Sequence, residues 1–182
     1  MPTTENSFTV QRISARVWKV PAEGNAYFLD FERKIIIDTS SRAERPKLEM
    51  FLSKVVDFSK ITDVVLTHLH LDHCANIDLF PNAKLWASRA EIEQFRKDPN
   101  GTVLDPRLAE KVATRGLHPA EDAQLPELEI IHTPGHTVGS ICLFCASEKI
   151  LFSGDTIFPV GIGRTDLPSS IPSKMQDSLN KL

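Results

Sequence analysis

Thr67-His68-Leu69-His70-Leu71-Asp72-His73 places three of the chain's six histidines and one carboxylate within six residues. The segment continues Asp63-Val64-Val65-Leu66-Thr67, an apolar run that reads as a strand over 63–67. Residues two apart in extended backbone project the same way, so His68 and His70 are expected to reach one point together. Where the chain then turns, Asp72 and His73 swing toward a second point. Imidazole and carboxylate are the donors that borderline cations such as Zn²⁺, Fe²⁺ and Mn²⁺ accept. Surface histidines around a helix cap are the bland alternative, and they fit this spacing at a strand end poorly.

Two later segments repeat the scheme of a strand followed by a polar ligand candidate. Ile130-Ile131-His132-Thr133-Pro134-Gly135-His136-Thr137 sets His136 after a Pro-Gly turn that holds an imidazole at a fixed angle. Leu151-Phe152-Ser153-Gly154-Asp155-Thr156 ends an apolar run on Asp155, just past a permissive glycine. His118 is expected at the surface, and His132 in packing or beside the ligands.

Outward from these motifs, the first third is strand-rich. Strands are expected over 8–13, 17–20, 26–31 and 34–38, the last a β-branched run buried on both faces. Leu48, Phe51, Leu52, Val55 and Val56 form the apolar stripe of a helix over 43–56. A strand over 84–87 precedes a helix over 89–97, capped by Ser88 and terminated by Pro99-Asn100-Gly101. Residues 101–126 carry no clear pattern. Further strands fall over 128–131, 140–145 and 150–153. A last helix begins near Pro172, capped by Ser169 or Ser170, with Ile171, Met175, Leu179 and Leu182 along one face. The apolar stripe is still running at residue 182, so the C-terminus reads as incomplete. Residues 1–182 are read as one α/β domain of layered sheets covered by helices.

Composition narrows the function. Twenty-one Lys and Arg against 24 Asp and Glu leave a formal charge of −3, no electrostatic reason to expect nucleic acid or an anionic membrane as partner. No apolar run approaches the roughly 20 residues of a membrane helix. The polar start Met1–Ser7 carries no signal-peptide pattern, and three cysteines are not a disulfide framework, so a cytoplasmic location is expected. Cys142 and Cys145 lie three apart on a strand and face opposite sides. They and Cys74 read as buried core thiols.

With its three motifs in this order, the chain closely resembles the metallo-β-lactamase superfamily, and the resemblance covers nearly all of it. It implies a four-layer αβ/βα sandwich with metals at one edge, between the sheets. It further implies that His68, His70 and His136 bind a first metal, that Asp72 and His73 bind a second, and that Asp155 bridges them. The family's final histidine ligand has no counterpart among His118 and His132. One or two Zn²⁺ are the implied cofactor, with Fe²⁺ or Mn²⁺ as substitutes.

The run Gly163-Arg164-Thr165-Asp166 is similar to that of small hydroxyacylglutathione hydrolase (glyoxalase II)-like members and of persulfide dioxygenases. Arg164 offers a planar fork for a substrate carboxylate, or else an ion pair with Asp166 that braces the loop. The activity expected is hydrolysis of a small-molecule thioester, ester or lactone, with Asp72 orienting the water or taking its proton and with promiscuous opening of β-lactams. An iron dioxygenase held by His68, His136 and Asp155, a catalytically impaired metal-binding fragment, and a nuclease of the same superfamily are the alternatives.

Overall fold

Strand alternation sorts the apolar side chains to two sides of one sheet. The computed structural model describes residues 10–182. Strands β1 (Gln11–Arg12), β2 (Val17–Val20), β3 (Ala26–Asp30), β4 (Lys34–Ile37), β5 (Asp63–Val65), β6 (Lys84–Ala87) and β7 (His118–Pro119) form a seven-stranded sheet in sequence order. The pairs from β1 to β4 are antiparallel, and those from β4 to β7 are parallel.

Ile35, Ile37, Val65 and Trp86 face one way, into a core shared with a second sheet. Their neighbours Ile36, Val64 and Leu85 face the other way, onto helices. All three isoleucines of β4 are fully buried, as expected for a strand covered on both faces.

The helices on that outer side are α1 (Arg45–Leu52), α3 (Arg89–Lys97), α4 (Pro99–Val103) and α5 (Pro106–Arg115), which contribute Leu48, Phe51, Leu52, Ile92, Phe95, Val103, Leu108 and Val112 to the core. Between β5 and β6 a single turn of helix, α2 (Leu71–Cys74), carries Asp72 and His73. The second sheet has the order β10–β9–β8, from β8 (Glu129–His132), β9 (Ile141–Cys145) and β10 (Ile150–Phe152), all antiparallel. Helix α6 (Pro172–Leu179) lies against the turn after β8, where the Ser178 hydroxyl donates to the Pro134 carbonyl at 2.7 Å and Met175 is buried. No helix among the described residues is long and apolar enough to cross a membrane.

Several expectations need revision. The first strand is only Gln11–Arg12, and residues 8 and 9 of its expected span lie outside the described residues. The first long helix stops at Leu52, although Val55 and Val56 still pack on the core. Helix α3 spans Arg89–Lys97 and stops before Pro99-Asn100-Gly101 as expected, but a new helix begins there at once. Asp98 caps Gly101 N–H and Pro99 opens α4. The unpatterned stretch holds α5, with Asp105 capping Leu108 N–H, Pro106 at its start and Gly116 closing it, signals present in the sequence. Neither Ser169 nor Ser170 caps α6. Ser88 does cap α3, accepting from Glu91 N–H.

Asp63 locks the strands behind the site. Fully buried, it accepts from Trp86 Nε1 at 2.7 Å, Thr62 Oγ1 at 2.7 Å and Arg33 Nε at 2.8 Å. Asp63→Ala strands a buried indole N–H and unpairs Arg33. It is expected to cost about 3 kcal/mol in urea unfolding, and a loss below about 1 kcal/mol would sink this account.

Candidate metal centre

The ligand candidates lie in the segments that follow the C-terminal ends of strands, with Asp72 and His73 on the short helix α2 beyond β5. β4 and β5 run parallel, so Asp38 and the Thr67–His70 segment emerge side by side, with Asp38 N–H bonded to Val65 O at 3.0 Å. β8 and β10 are each antiparallel to β9 and therefore run the same way, delivering His136 and Asp155 at one edge. Thr67 O accepts from Ile141 N–H at 3.0 Å and joins the two sheets there.

His68, His70 and His136 have ligand atoms that all lie within 4.8 Å of one another, and so do His68, His73 and Asp155. His68 belongs to both groups. The expected strand ends at Val65, two residues early, so His68 and His70 converge on irregular backbone rather than on a strand. Asp72 stands at the edge, its Oδ2 3.7 Å from His73 Nε2 and its side chain 30% exposed.

Hydrogen bonds determine which nitrogen faces inward. Asp38 accepts from Thr67 N–H, Thr67 Oγ1 and His73 Nδ1, each at 2.8 Å. With its proton on Asp38, the Thr67 hydroxyl accepts from His68 Nδ1 at 3.2 Å. His136 Nδ1 donates to Arg164 O at 2.7 Å. His70 Nε2 lies 3.5 Å from the buried Ser169 hydroxyl, and its Nδ1 is 2.8 Å from His136 Nε2. The inward atoms are thus His68 Nε2, His70 Nδ1, His73 Nε2 and His136 Nε2. Pinning the outer nitrogen is how proteins orient metal-binding histidines.

The residues fit a cation. His68 Nε2 and His73 Nε2 are buried without a hydrogen-bond partner, although His73 Nε2 is 3.1 Å from Asp155 Oδ1. That separation is close but badly angled for a hydrogen bond, which suits two groups aimed at a common third. Burial and the neighbouring imidazoles push His70 down to about 3 and His68 well below its ordinary range, so both offer lone pairs at neutral pH. Asp155 titrates below its ordinary range: burial opposes ionisation, but the close approach and charge of His73 outweigh it. Burial raises Asp72. Burial also disfavours a charged His73, yet Asp38 and Asp155 drive it well above its ordinary value, which marks a place for positive charge.

Arg164 is exposed and forked onto Asp166 at 2.7 and 2.8 Å, the bracing arrangement of the two considered, while its carbonyl holds His136. Gly163 packs so closely that a Cβ there would lie 1.9 Å from Asp155 O. His118 is exposed, as expected. His132 is exposed too, 3.5 Å from Glu121, and so takes no part in packing or in the site. All three cysteines are free and buried, as expected.

Sequence reasoning passed over Asp38, Thr67, Ser169 and Glu91. Asp38 closes a buried strand directly beside the histidine run, and Glu91 interrupts the buried face of α3 beside Ile92 and Phe95. Both were visible as misplaced charges. Ser169 and Ser170, read as helix caps, instead serve the histidines, with the Ser170 hydroxyl donating to His136 O at 2.6 Å.

The family model described as the metallo-beta-lactamase superfamily matches residues 20–182. The chain is similar to a probable metallo-hydrolase, MJ0888, of Methanocaldococcus jannaschii, at 30% identity over 87% of this chain and 79% of that one. It is similar to the hydroxyacylglutathione hydrolase GloC of Haemophilus influenzae, at 31% identity over 76% of this chain and 68% of that one. In structure it is similar to TTHA1623 in a di-iron-bound form, with a TM-score of 0.68 and 24% identity over 89% of this chain and 82% of that one.

Asp38→Asn tests the orienting role of the carboxylate, because it cannot accept all three donors. Competition with a chromogenic chelator should show divalent-metal affinity weakened about 10- to 100-fold. Affinity equal to the parent's would remove Asp38 from the site.

Proposed function

The chain belongs to the metallo-beta-lactamase superfamily, and we propose that it hydrolyses a small thioester, or a related ester or lactone, with a metal-activated water. The observation that carries this reading is the convergence of four imidazole nitrogens and one ionised carboxylate, two of the nitrogens buried without a partner. His68, His70 and His136 would hold one cation, and His73 and Asp155, with Asp72 beside them, a second. The donor set suits Zn²⁺, with Fe²⁺ or Mn²⁺ as substitutes. A cation bound there supplies a Lewis acid for a carbonyl and lowers the pKa of a water ligand from 15.7 to about 7.

The protein's own groups do the rest. Asp72, half-buried at the edge of the ligand cluster, is placed to orient the water and take its proton. A cavity of about 470 Å³ opens beside it, lined by Lys19, Tyr27, Asp72, His73, Asp155 and Phe158 among others. The Tyr27 phenol is pushed up to about 12 by burial and by Asp38, so it stays a neutral donor. Lys19 is the ammonium on the cavity wall, whereas the Arg164 guanidinium is engaged by Asp166. Ile157 and Phe158, both exposed, give the wall an apolar lip.

Leaving-group chemistry favours the thioester. A thiolate, with a conjugate pKa of about 8.5, departs without a proton, while an amide nitrogen needs one. The proton donors in the cavity wall, the Tyr27 phenol and the Lys19 ammonium, are both weak acids, which leaves the easier leaving group favoured. Likeness to GloC, itself a hydroxyacylglutathione hydrolase, supports the same substrate class.

The test is a substrate panel of a 2-hydroxyacyl glutathione thioester, an acyl-homoserine lactone, a β-lactam and glutathione persulfide, on protein of measured metal content. Thioester cleavage should lead. His68→Ala or chelation should lower kcat/KM about a thousandfold or more, the several kcal/mol a Lewis acid provides. Oxygen uptake on the persulfide with no thioester cleavage would replace the hydrolase reading with the dioxygenase.

A further inference from the structure

The two histidine loops come from different sheets, and one side chain belonging to neither sheet bonds to both. Glu91, on helix α3, is fully buried. Its Oε1 accepts from Leu69 N–H at 3.0 Å, between His68 and His70. Its Oε2 accepts from Thr137 Oγ1 at 2.8 Å and from Gly139 N–H at 3.0 Å, just after His136. Ser88, the cap of the same helix, donates its hydroxyl to Gly139 O at 2.5 Å. The approach has no slack, since a Cβ on Gly139 would lie 2.2 Å from Glu91 N.

A carboxylate is an expensive way to fill the buried face of a helix. An aliphatic side chain would serve packing alone, and burial of the charge is tolerable only because donors surround it. Those donors share one property, which is that each sits within three residues of a histidine of the first ligand group. Metal–ligand distances tolerate only about 0.2 Å, a tighter requirement than apolar packing between two sheets imposes. Charge-assisted hydrogen bonds are short and directional, and they supply that tightness.

We propose that Glu91 is a positioning residue that sets the separation between the His68–His70 loop and His136, and through it the affinity and geometry of the first metal position. The inference rests on the metal-dependent reading above, but not on the substrate. Glu91 touches neither substrate nor metal, and it acts through the backbone of the two loops.

Glu91→Gln keeps the shape and turns an N–H₂ toward one of the donors. Zinc affinity by chelator competition, the visible spectrum of the Co²⁺ form, thermal unfolding of the metal-free protein and kcat with KM are then compared with the parent. Zinc affinity should weaken about 10- to 100-fold, as when a group behind a ligand is removed, with an altered Co²⁺ spectrum and a fall in kcat at little-changed KM.

Zinc affinity within about twofold of the parent and an unchanged Co²⁺ spectrum would overturn the proposal, whatever the melting temperature does. Should the glutamine variant fail to fold, Thr137→Val removes one of the three bonds and should weaken zinc about 3- to 10-fold, the worth of one hydrogen bond. Parent-like affinity there overturns the proposal equally. Tight zinc binding by the parent with no turnover on any substrate would sink the hydrolase reading alone.

Discussion

The carboxylate of Asp38 sets the terms for everything around it. It leaves β4 with φ +55, in the left-handed region that aspartate tolerates better than most residues, and so turns back beneath the neighbouring strand. There it receives the Thr67 amide, the Thr67 hydroxyl and His73 Nδ1. Each bond transmits a constraint. The amide holds the root of the histidine segment, the hydroxyl passes the constraint on to His68 Nδ1, and the imidazole bond leaves His73 Nε2 facing the centre. One acceptor thereby selects the tautomer of two histidines, using donors that would otherwise be buried unpaired.

Around that anchor the fold solves a problem of convergence. Ligand candidates from two sheets meet, and each sheet places its own past the C-terminal ends of strands that run the same way. Ile35, Ile37, Val65 and Trp86 of one sheet interleave with Ile141, Leu143 and Phe152 of the other and set their distance coarsely. Polar ties adjust it at the edge, namely Thr67 O to Ile141, Glu91 to both loops, and Arg164 O and Ser170 to His136. Division of labour follows from the physics, since apolar packing is strong but undirected and hydrogen bonds are weak but specific.

The electrostatics run in the same direction. Packing four imidazoles with ring centroids 4.1 to 4.8 Å apart disfavours protonation of His68 and His70, leaving lone pairs facing inward. Asp155 stays ionised beside them. A buried nest of lone pairs with one carboxylate is costly on its own, and a cation is what relieves it.

Much of this was legible in the residues alone. Short apolar runs, alternating in β2 and β3 and continuous in β4 and β5, announced β2 to β6 and β8 to β10. His68, His70, His73, His136 and Asp155 were legible because they cluster in segments that follow such runs, and the structure brings their ligand atoms together. Helix α5 was equally written, in Asp105, Pro106 and Gly116, and was passed over for want of a long apolar stripe.

The tertiary structure alone decided which ring nitrogen faces inward, that Arg164 turns to Asp166, and that Ser169 and Ser170 serve the histidines rather than a helix. It also decided that Asp38 bonds to Thr67 and His73, and that Glu91 bonds to both histidine loops. Local periodicity encodes which face a side chain takes. It is silent on bonds between residues 29 or 66 positions apart, which exist only once two sheets and a helix have packed.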